Sequence, residues 1–225
     1  MPRRNVLLVN DEIYHIFNKG VASLPIFKSV YDYQRMIHLI DFYRFKNPPL
    51  KFSHYNRLPI NLKRDFITNL YRNGKRLVEV FSFTLMPNHY HFQLMQVLDD
   101  GITKFIGNMQ NAYARYFNTK YKVTGSLFQL RFKSVRVESD EQCIHLNRYI
   151  HINPLTSYLI KDRDGLRKYK WSSFSTYTGD LIYDFVNTDF ILKMFGRKKE
   201  RFIKFNFDQV GYQRKLAELK RLIFE

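Results

Sequence analysis

The sequence predicts an α+β fold: a ferredoxin-like β-α-β-β-α-β antiparallel sheet with helices on one face, then one more helix and a helical C-terminal extension. Three observations predict it. Short runs of aromatic and β-branched residues alternate with longer stretches of helical period. The middle two runs are separated only by Met86-Pro87-Asn88, and the last run leads into a capped helical pattern.

Residues 13–18, IYHIFN, read as the first strand, closed by Gly20. Beyond Pro25, a helix is expected from Tyr31 to Phe45, because Tyr33, Met36, Ile37 and Ile40 fall at i, i+3, i+4, i+7, with Tyr43 one turn on. Residues 46–62 carry NPP and RLPI and read as a proline-broken loop or insertion, followed by a short helix from Arg64 to Arg72. Leu77 to Leu85 and His89 to Gln96 form a hairpin. From Asp100 the period turns helical, with Ile102, Phe105, Ile106, Met109, Tyr113 and Tyr116 on one face and Gly125 as the stop. A fourth strand is expected over Leu127–Val137. A helix then starts at Asp140, with Ser139 as N-cap and Asn153-Pro154 as its end. The chain divides into a main unit, 1–160, and a basic helical extension, 161–225. The extension carries a helix over 189–206 with Lys193, Arg197, Lys198, Lys199, Arg201 and Lys204, then an amphipathic segment around Leu216, Leu219 and Leu222.

Charge narrows the function. The 225 residues hold 37 Lys and Arg against 20 Asp and Glu, a formal +17. Such an excess repels itself unless a polyanion balances it, and nucleic acid is the leading class. Aromatic residues make up 17% of the chain, enough to stack on unpaired bases as well as to fill a core. Cys143 is the only cysteine, which excludes an intramolecular disulfide and a Cys-based zinc site and fits a reducing cytoplasm. The apolar run VLLV is too short for a signal peptide, so a cytoplasmic protein with no membrane partner is expected.

Chemistry concentrates in two places. In MPNHYHFQL, His89 and His91 are one residue apart on a strand, so both project from one face, while Tyr90 turns to the other. Two imidazoles so placed either share a divalent cation or sit on a solvated strand face. In the late helix, His145, Tyr149 and Asn153 recur every fourth residue and share a face, and His151 points elsewhere. Tyr149 offers a phenol as nucleophile and Asn153 a carbonyl oxygen; the plainer reading is a half-buried tyrosine and a C-terminal cap. Tyr113 and Tyr116 are rival tyrosines that fit the core stripe of the preceding helix.

Taken together, MPNHYHFQL, GSLFQLRFKS and RYIHINP resemble the REP-associated tyrosine transposases, bacterial relatives of the single-tyrosine HUH insertion-sequence transposases. The opening YHIFNKG, the helix NAYARYFNTKY and the later WSSF are similar to the same family. The resemblance implies that 1–160 is the catalytic unit, with His89, His91 and Asn153 as ligands of Mg²⁺ or Mn²⁺ and Tyr149 as the nucleophile. It implies a strand-transferring endonuclease that works through a 5′-phosphotyrosyl link on single-stranded DNA or a DNA hairpin, such as a repetitive palindromic element. It also favours a monomer over a dimer and a place in the bacterial cytoplasm, associated with the nucleoid. Lys19 stands where relatives commonly have arginine, and 46–62 is longer than a minimal member needs. Lys19, Arg115, Arg131, Lys133, Arg136 and Arg148 are the candidate phosphate contacts, with 193–204 as an auxiliary basic surface. Two other readings stay open. One is a non-catalytic RRM-like nucleic-acid-binding module, although no segment matches RNP1. The other is a domesticated relative that binds repeats without mobilising itself.

Overall fold

The computed structural model describes residues 7–208, 210 and 211. Four strands, β1 (Ile13–Lys19), β2 (Val78–Met86), β3 (His89–Gln96) and β4 (Lys133–Arg136), form one antiparallel sheet in the order β2-β3-β1-β4. Between β1 and β2 lie α1 (Val30–Tyr43), α2 (Phe52–Tyr55) and α3 (Ile60–Asn73); α4 (Gly101–Tyr121) joins β3 to β4. The chain continues through α5 (Asp140–Thr156), α6 (Arg163–Arg167), α7 (Phe174–Thr178), α8 (Thr188–Met194) and α9 (Lys199–Phe207). The split βαβ order is therefore present.

Strand alternation divides the sheet into an oily face and a polar one. Tyr90, Phe92 and Leu94 of β3, with Tyr14 and Ile16 of β1, are fully buried. They lie on the side of the crossover helices: Gln110 of α4 donates to the Tyr90 hydroxyl at 2.8 Å, and the Phe92 and Phe105 rings are 6.0 Å apart. The odd-numbered residues His89, His91 and Gln93 face the other way. There Gln93 donates to the Cys143 carbonyl at 3.0 Å and Asn147 donates to Gln93 at 3.1 Å, so α5 covers this second face.

The α5 start is as the sequence predicts, with Ser139 accepting from the Gln142 amide at 3.2 Å. Its end is not. The helix runs through Pro154 to Thr156 instead of stopping at Asn153. Proline has no N–H for the carbonyl four residues back, which leaves the Ile150 oxygen without its helical donor. The Thr84 hydroxyl of β2 fills that vacancy at 2.7 Å, so the helix persists because the sheet completes it.

Other boundaries also move. β4 is shorter than Leu127–Val137, although Gln129 donates to the Lys19 carbonyl and Val137 to the Ile13 carbonyl on either side of it. The insertion is more helical than its prolines suggest, because α3 begins at Ile60, directly after Pro59. The helix expected over 189–206 is two helices, broken where Gly196 and Arg197 both take positive φ, 62° and 58°. Within the extension, Ser173 and Asn187 donate to the Phe83 and Val80 carbonyls, and Leu85 donates to Trp171, so 171–187 covers the outer edge of β2. The segment around Leu216, Leu219 and Leu222 lies outside the described residues.

Asp32 ties the two crossover helices together. Its fully buried carboxylate accepts from Lys120 (2.6 Å), Tyr121 (2.7 Å) and Tyr116 (3.0 Å) of α4 and from the Lys28 and Ser29 amides before α1. Burial pushes its pKa up, but these donors outweigh burial and hold it at about 2. The folded pKa lies below the unfolded one, so this contribution is complete above about pH 4 and fades as pH falls toward 2. Chemical unfolding of Asp32→Ala should show a loss of about 3 kcal/mol near neutral pH. Asp32→Asn should flatten the fall in melting temperature between pH 4 and pH 2 relative to wild type.

Candidate active site

The register of the sheet assembles the polar face. β1 pairs with β3 so that Phe17 lies opposite His91 and Lys19 opposite His89, which brings His15 beside the histidine pair. His15 Nε2 is 2.9 Å from His91 Nδ1, and the two rings stack at 5.1 Å. His89 and His91 stand at right angles with centroids 5.0 Å apart, and His89 Nδ1 meets the Asn88 side-chain oxygen at 2.6 Å. One nitrogen of each imidazole is thus held by a neighbour, as metal-binding histidines generally require.

Tyr149 arrives from α5. Its ring lies edge-on to His91 at 5.4 Å and to His15 at 5.9 Å, and 39% of the residue stays exposed. The Asn153 side chain, one turn later, neighbours both His89 and Tyr149. It pulls the histidine pKa up and the tyrosine pKa down. The Thr84 bond to the Ile150 carbonyl fixes the backbone next to Tyr149.

The electrostatics suit a cation. Burial lowers the His89 pKa to about 4, against the opposing effect of the Asn153 side chain, and lowers His91 well below the ordinary histidine value. Both imidazoles are therefore neutral at physiological pH and keep a lone pair for a ligand. Among the described residues, no group of three or more His, Cys, Asp or Glu is arranged for a metal ion. The donor set on this face is two imidazoles and an amide carbonyl. That set fits a divalent cation with positions left for phosphate oxygens. Burial also raises the Tyr149 pKa, an effect that Asn153 opposes.

His89, His91, Tyr149 and Asn153 thus meet on one face. His145 does not join them: its Nδ1 is 2.6 Å from Arg148 and its ring packs on Phe205. His151 is buried against Ser173, at 2.7 Å. The rival tyrosines are committed elsewhere, Tyr113 to the Ile26 carbonyl at 2.5 Å and Tyr116 to Asp32.

The basic candidates separate. Lys19 and Lys133 are exposed on β1 and β4 of the same face, with Lys133 5.9 Å above the Phe17 ring, and Arg131 is exposed just before β4. Arg136 is engaged by Glu12 at 2.5 Å. Arg148 is corrected outright: it is 4% exposed, donates to the Phe205 carbonyl and stacks on the Phe205 ring, so it builds the α5–α9 contact and presents no surface to a phosphate. Arg115 lies on α4, across the sheet from Tyr149. In the basic helix region, Asp189 pairs with both Lys193 and Arg197.

Sequence reasoning missed His15, Asn88 and Thr84. Strand parity carried the signal for His15, because an odd position on β1 shares the face of an odd position on β3 once the split βαβ order makes them neighbours.

A family model described as "Transposase IS200 like" matches residues 64–153. This stretch is less than half of the chain. It spans β2, β3, α4, β4 and α5 as far as Asn153, so the four residues that meet on the polar face all lie within it. The chain is also similar in structure to a protein described as "Structure of the REP associates tyrosine transposase bound to a REP hairpin". The TM-score is 0.52 at 15% identity, over 83% of this chain and 94% of that one, a likeness of fold that extends beyond the matched stretch. Both findings support the resemblance carried by the three motifs. No curated protein matches the chain. Among the described residues no helix is long and apolar enough to cross a membrane.

Thr84→Val keeps the shape of the side chain and removes the donor to Ile150. Urea unfolding of this variant should show a loss of about 1–3 kcal/mol, the cost of a buried carbonyl without a partner. An unchanged midpoint would mean that α5 holds its end without the sheet.

Proposed function

We propose that the protein is a metal-dependent DNA strand transferase of the single-tyrosine type, acting on single-stranded DNA at or near hairpin repeats in the cytoplasm. The observation that supports this reading best is the Tyr149 ring lying 5.4 Å from His91, with the Asn153 side chain beside both His89 and the phenol. A resting tyrosine in the core would not need a neutral imidazole pair and an amide arranged around it.

The chain's own residues divide the work. Tyr149 Oη attacks the phosphorus of a phosphodiester. The new Oη–P bond replaces the P–O3′ bond, the phenolic proton ends on the departing 3′ oxygen, and a 5′-phosphotyrosyl link remains. One ester bond is made for each one broken, so rejoining to another 3′-hydroxyl needs no nucleotide cofactor. The Asn153 side chain opposes the rise that burial gives the Tyr149 pKa and so favours the phenolate that must form. His15 holds Nδ1 of His91, and Asn88 holds Nδ1 of His89, which keeps both rings in place for a ligand. A Mg²⁺ or Mn²⁺ bound by His89, His91 and Asn153 would neutralise charge developing on the scissile phosphate. Lys19, Arg131 and Lys133 border this face and supply phosphate contacts that carry affinity rather than sequence choice. With one tyrosine in the site, each protomer holds one covalent end at a time, and the reading takes the monomer as the working unit.

The test is covalent capture. With Mg²⁺ or Mn²⁺ and single-stranded DNA bearing a hairpin, wild type should yield an adduct that survives denaturing electrophoresis. Tyr149→Phe and chelation by EDTA should each abolish it. His89→Ala should lower adduct yield at least about a hundredfold while DNA affinity stays within about twofold. A persistent adduct in Tyr149→Phe would overturn the assignment. No adduct over a broad set of hairpins would leave the chain a binding module.

A further inference from the structure

A broad concavity lies away from Tyr149. It lies on the opposite side of the molecule, where residues 51–57 of the insertion stand over α1 and α4. The groove has a volume of about 890 Å³, and Arg35, Lys51, Arg57, Asn108, Asn111 and Arg115 line it. A shallower trough continues from Arg115 along α4 past Asn118 and Thr119.

Its charge is one-sided. No Asp or Glu lines the groove, and none of Arg35, Lys51, Arg57 and Arg115 makes an ion pair with a described residue. Lys120, at its end, is the exception and is held by Asp32. Unneutralised cations walled by protein focus their field outward and select a polyanion. Elsewhere on the chain, Arg76, Arg136, Arg167 and Lys193 each have a carboxylate within 3.2 Å.

The aromatic residues of the groove indicate which polyanion. Phe52 is buried, and the Arg35 guanidinium already covers both Phe52, at 5.3 Å, and Tyr116, at 4.7 Å. Tyr43, the third ring of the groove, is half-buried and lies 6.2 Å from Phe52. No fully open ring pair is left on which unpaired bases would stack, unlike the surfaces that hold single strands. What remains is exposed cations and asparagine amides, the groups that bind a phosphate backbone without reading bases.

We propose that this groove is a second nucleic-acid site, which grips the phosphodiester backbone of duplex DNA on the face of the molecule opposite Tyr149. Residues 51–57 are what close it, so the insertion has a function of its own. The proposal borrows from the strand-transferase reading only the choice of nucleic acid as ligand.

The experiment measures binding of a fluorescent 20-bp duplex of arbitrary sequence by anisotropy across a salt series. Each phosphate contact contributes about 0.9 to the slope of log K against log salt, so Lys51→Ala/Arg57→Ala should reduce that slope by about 2 and weaken binding at least tenfold at low salt. Lys51→Arg/Arg57→Lys keeps both charges and should keep the slope. An unchanged slope in the alanine pair overturns the proposal, as does an equal loss in both pairs. Greater loss on a 20-nucleotide oligo-dT than on the duplex also overturns it. Tyr149→Phe should bind the duplex like wild type. Failure of covalent capture therefore leaves this result standing, and failure here leaves the tyrosine chemistry untouched.

Discussion

The hydroxyl of Thr84, near the end of β2, donates to the one carbonyl that Pro154 leaves open in α5. Much of the site depends on that bond. A proline inside a helix ordinarily costs about 3 kcal/mol through the lost donor and the clash with the preceding turn. Here the lost donor is replaced by the sheet, and the residue whose carbonyl is caught follows Tyr149 directly. The proline that should end the helix therefore marks where it is fastened. Gln93 and Asn147 extend the same seam toward the start of α5, with Gln93 donating to the Cys143 carbonyl. A polar strand face is thus satisfied by a helix laid across it, and each donor in the seam helps set where the phenol stands.

That seam explains the contrast between the two sides of the sheet. On one side Tyr90, Phe92 and Leu94 meet the crossover helices in a dry core, secured at the edge by the buried carboxylate of Asp32. On the other, three imidazoles lie within a few ångströms of one another, and burial keeps His89 and His91 uncharged. Neutrality is what allows them to sit together, since adjacent imidazolium ions would repel. Basic residues are correspondingly kept to the rim, at Lys19, Arg131 and Lys133. The excess of positive charge is therefore outside the core in two places, around the polar face and in the groove beyond α4.

Much of this was legible in the sequence because it is local. Alternation along HYHFQ places His89 and His91 on one face, the fourfold spacing of Tyr149 and Asn153 places them on one helix stripe, and the Ser139 cap marks where that helix starts. The α+β order follows from the same periodicities. What escaped is what long-range packing decides. Arg148 looks like a surface charge beside Tyr149, yet it is spent on Phe205, more than fifty residues later. Pro154 reads as a terminator unless Thr84 is known to lie beneath it. His15 becomes part of the site only when β1 is set beside β3, and the break at Gly196 shows only in the backbone angles.

Identifying the amino acid that carries DNA tests the central claim most directly. The covalent product formed with a hairpin-bearing single strand would be digested with trypsin and nuclease and sequenced by tandem mass spectrometry. The account predicts a single nucleotide-bearing peptide, residues 149–161, with the phosphate on Tyr149; fragmentation must separate it from Tyr158 on the same peptide. A phosphonucleotide on Tyr158, Tyr113, Tyr116 or any other residue would contradict it.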